Sequence, residues 1–217
     1  MRILSIKLKN INSLRGEFEL DFTKEPLKDA GLFAMIGKMG SGKSTILDCI
    51  TLALFNAIPR YNKVSKDAIE KGGLILTKNE RECYAEVKYN CKSGIYTSKW
   101  SISRSRNDTL RDYEMQVRDE QGIPLTDKKT EVPLKNAELI GLNYDQFNKS
   151  ILLSQGEFAK FLKSSKNERA QLLEEITATK DFRRLGRMAW ITYGRKKKEI
   201  DTKLELIKMW PLVVVTR

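Results

Sequence analysis

Apolar and polar residues alternate along much of the first half of the chain. Leu4, Ile6 and Leu8 are separated by polar residues, and after a turn the alternation returns at Phe18 and Leu20. Alternation with a period of two is typical of strands with one buried face. Residues 3–10 and 17–22 are therefore predicted to form an antiparallel pair. The same pattern over 83–91, 96–102 and 113–117 predicts a meander of about three further strands.

The pattern changes at residues 32–36, which form a short continuous apolar run. Such a run predicts a strand buried on both faces. From Ile46 to Phe55 apolar residues recur at helical spacing, so a helix is predicted there. Residues 60–82 are polar and are predicted to form a loop or an insertion whose structure the pattern does not determine.

Helical patterns dominate the second half. One predicted helix starts near Leu134 and stops at Gly141, and another begins at Tyr144. From Glu168 the sequence becomes long, charged and helical, with apolar residues in steps of three and four. That spacing resembles a heptad pattern over a few repeats.

A glycine-rich segment lies between the predicted strand at 32–36 and the helix that follows. Gly37-x-x-x-x-Gly42-Lys43-Ser44 matches the phosphate-binding loop G-x-x-x-x-G-K-[ST] in full. Glycines let successive backbone N–H groups surround an anion, and the following helix directs its positive dipole end to it. Lys43 is expected to reach the β- and γ-phosphates of a nucleoside triphosphate, and the Ser44 hydroxyl to bind Mg²⁺. The predicted nucleotide-binding residues here are Gly37, Lys38, Met39, Gly40, Ser41, Gly42, Lys43, Ser44 and Thr45.

Composition excludes several chemistries. The 217 residues include no histidine, which rules out a Ser-His-Asp triad, a zincin-type metal site and histidine general-base catalysis. Forty Lys and Arg against 28 Asp and Glu give a net charge of +12. Residues 180–217 hold 11 basic and 4 acidic residues, so more than half of the excess lies there. Such a segment either attracts nucleic acid or is a solvated helix face, and charge alone leaves both open.

Cysteine usage and hydropathy point to the cytoplasm. Cys49, Cys83 and Cys91 lack paired spacing and are predicted to be free thiols in a reducing compartment. The first ten residues contain no long apolar segment of a signal peptide, and no stretch of about 20 apolar residues predicts a membrane span.

An acidic residue at the end of a buried strand, which a P-loop ATPase needs for Mg²⁺ and water, is not evident. Asp119-Glu120 falls in a predicted hairpin turn, and Glu174-Glu175 falls in a charged helical stretch. Neither pair fits that role.

Residues 1–56 and 144–177 resemble the N-terminal half of SbcC, the SMC-like ATPase subunit of the SbcCD nuclease complex. The resemblance is carried by ILSIKLKNINSL at 3–14, by the phosphate loop and its helix, and by SILLSQGEFAKFL at 150–162. It implies an α/β fold of the P-loop NTPase class, an ABC/SMC-type ATPase half-head with an antiparallel β-meander and the start of a coiled coil. It also implies that Gln155 belongs to a Q-loop that contacts Mg²⁺ and the attacking water, and that Asn12 and Ser13 approach the nucleotide. Leu153-Ser154-Gln155-Gly156-Glu157 is one residue away from an ABC signature motif, but a helical pattern follows it instead of a Walker B strand, which favours the Q-loop.

The resemblance implies an organisation and a set of partners. Residues 1–165 are predicted to form the N-terminal ATP-binding lobe, 166–210 the start of a coiled-coil helix, and 211–217 an unassigned tail. Family members are several times longer, and their C-terminal lobe supplies the signature motif, Walker B and the switch histidine. We therefore expect this chain alone to be incomplete for ATP hydrolysis. The implied partners are an SbcD-type nuclease, the C-terminal lobe, a second head and DNA, with no membrane.

Two other interpretations of the sequence remain open. One is a small self-contained P-loop NTPase or kinase, which would need its own acidic Mg²⁺ ligand. The other is a non-catalytic DNA-binding fragment that acts through its basic helical tail. Separately, Arg104, Arg106 and Arg111 of a predicted hairpin loop either contact DNA phosphates or form a solvated loop, and the sequence leaves both open.

Overall fold

Five antiparallel strands form one sheet in the order β2-β1-β3-β4-β5. The computed structural model describes residues 1–59, 64–150, 165 and 180–209. The strands are β1 (Arg2–Ile11), β2 (Leu14–Asp21), β3 (Glu82–Cys91), β4 (Gly94–Ser103) and β5 (Glu114–Arg118). The predicted antiparallel pair and the predicted meander are thus confirmed, and they join into one sheet through the pairing of β1 with β3.

The two faces of the sheet differ in polarity, as the alternation predicts. Ile6 and Leu8 of β1, Val87 of β3 and Trp100 of β4 are buried on one face. The opposite face carries exposed ion pairs between neighbouring strands. These pairs are Lys7–Glu19 at 3.3 Å, Lys9–Glu17 at 3.5 Å and Lys9–Glu82 at 2.8 Å.

Helices accompany the sheet within the unit Met1–Gly156. They are α1 (Lys43–Phe55), α2 (Lys66–Gly72), α3 (Val132–Ile140) and α4 (Tyr144–Ser150). Helix α1 contacts β1, β3, β4 and α3. It is nearly encased, since every residue of its last two turns is buried. Helices packed against an antiparallel sheet with the predicted meander are therefore confirmed. The sheet of the described residues is wholly antiparallel, whereas an α/β fold in the usual sense has a mainly parallel sheet.

A buried polar network fixes the C-terminal end of α1. The Asn136 amide of α3 donates to the Leu54 carbonyl at 2.8 Å and to Ser98 Oγ at 2.9 Å, and it accepts from the Tyr89 hydroxyl at 2.7 Å. Ser98 Oγ donates to the Ala53 carbonyl at 2.7 Å. The last carbonyls of a helix lack partners within it, so these bonds satisfy them and anchor the helix to the sheet.

The strand predicted at residues 32–36 is not formed. These residues have no regular secondary structure, and Leu32 and Ile36 are 94% and 93% exposed. A strand is stable only when its backbone groups pair with a neighbouring strand, and among the described residues none pairs with this segment. The prediction of a loop over 60–82 is also incomplete, because α2 forms within it and Leu76 bridges to Ile11.

The second unit, Glu157–Arg217, is described almost entirely by one long helix, α5 (Lys180–Met209). Residues 182–208 are all exposed. The helical prediction is confirmed over this range, and its part at 168–179 lies outside the described residues. The domain bounds 1–165, 166–210 and 211–217 stay predictions. Within the described ranges, no helix is long and apolar enough to cross a membrane.

All three cysteines are free. Cys49 and Cys83 are buried, and burial raises the pKa of the Cys49 thiol and that of the Cys83 thiol, the latter to about 12. Cys91 is half-buried. The first two thiols therefore behave as small apolar core groups, as the sequence predicts.

Candidate functional site

The phosphate loop depends on glycine backbone geometry at the start of α1. Gly42 precedes the helix with φ 89°, and Gly40 has φ 80°. A Cβ atom added at Gly42 would lie 2.7 Å from Cδ2 and Cγ of Leu14, which is closer than real Cβ contacts come. Only glycine combines this conformation with this approach to β2.

The first turn of α1 has no side-chain cap. The first N–H groups of a helix have no partners within it, and the helix dipole adds positive potential at this end. The loop therefore presents donors and positive potential to whatever enters the cavity in front of it, which is the chemistry that binds phosphate.

The Lys43 ammonium stabilises the curved backbone of the loop through hydrogen bonds. It donates to the carbonyls of Gly37 and Lys38, both at 2.8 Å, and to Ser41 Oγ at 3.4 Å. These are exposed hydrogen bonds between groups of the loop itself. A phosphate that enters the loop meets a cation already held there.

A cavity of about 470 Å³ lies against the loop. It brings together nine of the predicted residues, from both the β1–β2 turn and the loop: Asn12, Ser13, Met39, Gly40, Ser41, Gly42, Lys43, Ser44 and Thr45. Gly37 and Lys38 do not line it and instead contact Lys43 through their carbonyls. The N-terminal turn thus lies beside the phosphate loop, and the contact of Asn12 and Ser13 with a nucleotide stays a prediction.

Asn12 is also hydrogen-bonded to the chain segment that forms another part of the cavity wall. Its Oδ1 accepts from the Ile75 N–H at 3.0 Å, and its own N–H donates to the Ile75 carbonyl at 2.6 Å. The Thr77 hydroxyl donates to the Asn12 carbonyl at 2.9 Å. The Asn12 side chain therefore fixes the wall formed by Leu74 and Ile75, and only its remaining surface faces the cavity.

Four residues of the cavity wall were missed by the sequence analysis: Asp48, Ile58, Leu74 and Ile75. Asp48 is four residues after Ser44 on α1, so helical spacing gave a usable signal for it. The other three follow α1 or sit in the segment that the sequence predicted as a plain loop, and nothing in their local pattern indicates the cavity.

Gln155, predicted as a catalytic and metal-binding residue, lies outside the described residues. Its role stays a prediction. The basic hairpin residues are described: Arg104 donates to the Asp108 carbonyl at 2.8 Å, while Arg106 and Arg111 are exposed.

The residues present fit a magnesium–nucleoside triphosphate. Gly40 and Gly42 give the loop its left-handed backbone, Lys43 supplies a cation for the phosphates, and Ser44 is exposed at the helix start. Mg²⁺ binds oxygen ligands and keeps several waters, so a hydroxyl and the phosphates suit it. Among the described residues no cluster of three or more acidic, cysteine or histidine side chains exists that would hold a metal alone.

Comparison with known proteins supports nucleotide binding at the phosphate loop. A family model described as an AAA domain matches residues 5–209, so the chain belongs to this AAA domain family. Members of this family are nucleotide-binding ATPases, which supports nucleotide binding at the loop.

Individual relatives of similar sequence are named as SbcC components of a nuclease or as a DNA repair ATPase. The chain is 38% identical over 224 residues to the SbcC component of the nuclease SbcCD from Pseudomonas aeruginosa, covering 94% of this chain and 18% of that protein. It is 38% identical over 199 residues to the protein of the same name from Rhodobacter capsulatus, covering 84% and 16%. It is 30% identical over 211 residues to a probable DNA double-strand break repair Rad50 ATPase of Aquifex aeolicus, covering 96% and 20%. The resemblance to SbcC is confirmed, and the chain spans about a fifth of the length of these relatives.

Proposed function

We propose that the chain is the N-terminal ATP-binding lobe of a DNA double-strand-break repair ATPase of the SbcC type. The cavity at the phosphate loop carries this proposal, because it joins an uncapped helix start, a held lysine and the N-terminal turn in one wall. The relatives named as a component of the SbcCD nuclease and as a double-strand break repair ATPase supply the biological setting.

Each residue of the site has a defined task in this proposal. Lys43 neutralises charge on the β- and γ-phosphates, and the N–H groups of the loop hold the phosphate oxygens. Ser44 holds Mg²⁺, which when bound neutralises the triphosphate further, and Gln155 contributes to the metal and to the attacking water. Asn12 and Ser13 line the cavity beside the loop.

A second lobe completes the head in our proposal. The apolar segment 32–36 ends just before the phosphate loop and exposes Leu32 and Ile36 almost fully. Exposed apolar surface of this extent suits burial against another chain segment. We therefore propose a P-loop NTPase fold of the ABC/SMC type in which the C-terminal lobe supplies the paired strand and the missing catalytic carboxylate.

Hydrolysis and control of the nuclease then depend on assembly. ATP draws two heads together, and the engaged state governs the access of DNA to an SbcD-type nuclease. The chain alone is expected to bind ATP and to turn it over poorly. Its cytoplasmic location remains a prediction from the sequence.

Helix α5 fits the start of a coiled coil in this proposal. Six of its apolar residues fall along one stripe at steps of three, four and seven, and further apolar residues lie outside the stripe. The six are Phe182, Ala189, Tyr193, Ile200, Leu204 and Ile207. That is the spacing of a coiled-coil seam. The stripe is exposed, and we propose that a returning helix covers it.

Direct DNA binding through α5 is the second candidate. Residues 180–209 carry ten Lys and Arg against four Asp and Glu, a net charge of 10 − 4 = +6 on one helix. Phosphate contacts from such a helix would weaken as salt rises, because counterions compete for them. This interpretation accounts for the charge of α5 but not for the cavity at the phosphate loop.

ATP binding by the purified 217-residue chain separates these candidates. Equilibrium titration with Mg²⁺–ATP is expected to detect binding that Lys43→Ala abolishes and that Lys88→Ala, on an exposed strand position, leaves unchanged. Absence of ATP binding would overturn the proposal. ATP turnover at an ordinary enzyme rate by the chain alone would refute the need for a second lobe. Salt-sensitive DNA binding that persists after deletion of 180–217 would exclude α5 as the DNA contact.

A further inference from the structure

Asp48 is the one acidic side chain that lines the nucleotide cavity within the described part of the chain. The residue is only 5% exposed. Carboxylates are rarely this buried, because removal from water disfavours their charged form. Asp48 thus places a carboxylate in the wall of the nucleotide cavity.

Helical spacing relates Asp48 to the predicted metal ligand. Ser44 and Asp48 are four residues apart on α1, so their side chains are neighbours on one face of the helix. Both line the cavity. The carboxylate thus belongs to the same side of the helix as the hydroxyl that faces the metal.

Helix α4 lies close enough to Asp48 for the charge of Asp48 to act on the Tyr144 hydroxyl. The ring of Tyr144 lies 5.8 Å from that of Phe55, which is two turns further along the same face of α1. Burial raises the pKa of the Tyr144 hydroxyl, and the negative charges of Asp145 and Asp48 raise it further. Buried surroundings screen charge less than water does, so a charge on Asp48 acts on nearby groups more strongly than a charge in solvent would.

The charged residues around the cavity determine whether the Asp48 carboxylate attracts or repels a ligand. Lys43 is the one cationic lining residue in the described chain, and its ammonium donates to the Gly37 and Lys38 carbonyls of the loop. A free triphosphate carries several negative charges and is repelled by a nearby carboxylate, whereas a bound Mg²⁺ is attracted to it.

We propose that Asp48 makes nucleotide binding by this cavity dependent on Mg²⁺. Its carboxylate opposes the metal-free triphosphate and favours the magnesium complex from a position next to the metal ligand Ser44. Asp48 is thus a positioning residue for the metal, on the phosphate-loop helix itself. This inference rests on the proposed function, since it presupposes that the cavity binds ATP.

ATP binding by the full chain, measured by titration in EDTA and across a Mg²⁺ series, tests this inference. Substitutions in the outer shell of a metal site cost roughly 10–100-fold in metal affinity. Asp48→Asn is expected to raise the Mg²⁺ concentration for half-maximal ATP binding by about tenfold or more. In EDTA the same variant should bind ATP at least as tightly as the wild type, because the repulsive charge is gone. Asp48→Glu, which keeps the charge, should keep the Mg²⁺ dependence.

Asp145→Asn is the matched control, because Asp145 is an exposed acid beside Tyr144 that does not line the cavity. It should leave both titrations unchanged. Equal weakening of ATP binding by Asp48→Asn in EDTA and in Mg²⁺ would indicate a structural role and overturn the inference. An unchanged Mg²⁺ series would also overturn it, while leaving the proposed function intact. If the wild-type chain binds no ATP in either condition, the proposed function fails and the inference fails with it.

Discussion

Replacement of Gly42 by alanine tests the geometry of the phosphate loop most sharply. Gly42 has φ 89°, and an added Cβ would lie 2.7 Å from both Cγ and Cδ2 of Leu14. Two costs therefore act together: the left-handed backbone and the steric clash. The chain offers a control for each cost. Gly40 has φ 80° with open space around it, so it isolates the backbone cost. Gly37 has no positive φ, but an added Cβ would lie 2.8 Å from Ser41 Oγ, so it isolates the steric cost.

The expected loss in the free energy of unfolding is the sum of the backbone cost and the steric cost. A non-glycine residue in the left-handed region costs about 1–2 kcal/mol. Overpacking against a side chain that cannot move away costs roughly 1–3 kcal/mol more. Gly42→Ala is therefore expected to lower the free energy of unfolding by about 2–5 kcal/mol, and Gly40→Ala by about 1–2 kcal/mol.

Urea unfolding of the single and double variants measures both terms. In a Leu14→Ala background the clash is removed, so Gly42→Ala should then cost about as much as Gly40→Ala does. ATP affinity should fall with Gly42→Ala, since any relaxation of the clash moves the N–H groups of the loop. A cost for Gly42→Ala no greater than that for Gly40→Ala, or one unchanged by Leu14→Ala, would refute the reasoning.

Three further outcomes are expected. Asn136→Ala leaves buried groups unsatisfied at the end of α1. In urea unfolding it should lower the free energy of unfolding by about 3 kcal/mol, and a loss below about 1 kcal/mol would argue against the network. Hydrogen bonds from the side chain and the N–H of Thr23 lower the pKa of Asp21 to about 2. Any stabilisation from Asp21 is thus complete above its ordinary pKa of 3.8 and is lost as the pH falls through about 2, and a carboxyl NMR midpoint near 3.8 would contradict this. A thiol reagent should modify Cys91 alone in the folded chain and all three cysteines in denaturant, whereas rapid native labelling of a buried cysteine would contradict the packing.

The sheet and the phosphate loop could be predicted because their signals are local. The alternation of Leu4, Ile6 and Leu8 follows directly from a sheet with one buried face, and the glycine loop needs residue types at fixed spacing. The approach of Asn12 and Ser13 to the loop came from the resemblance to SbcC, and periodicity alone does not contain it.

The errors arose where the structure depends on distant partners. The run at 32–36 has the composition of a buried strand, but strand formation needs a pairing neighbour that the described residues do not provide. The wall residue Ile75 is held by hydrogen bonds to Asn12, over 60 positions earlier, which no local pattern encodes. Asp48 carried a spacing signal on the α1 face, but it belongs to no adjacent acidic pair and follows no strand, which are the usual signs of a P-loop carboxylate.

The central claim is that ATP binds at the phosphate loop of this chain. Backbone amide chemical shifts recorded during a Mg²⁺–ATP titration test it residue by residue. We expect the largest changes at 39–45 and at Asn12 and Ser13, with little change in α5. Changes confined to α5, or none at the loop at saturating ATP, would contradict the claim.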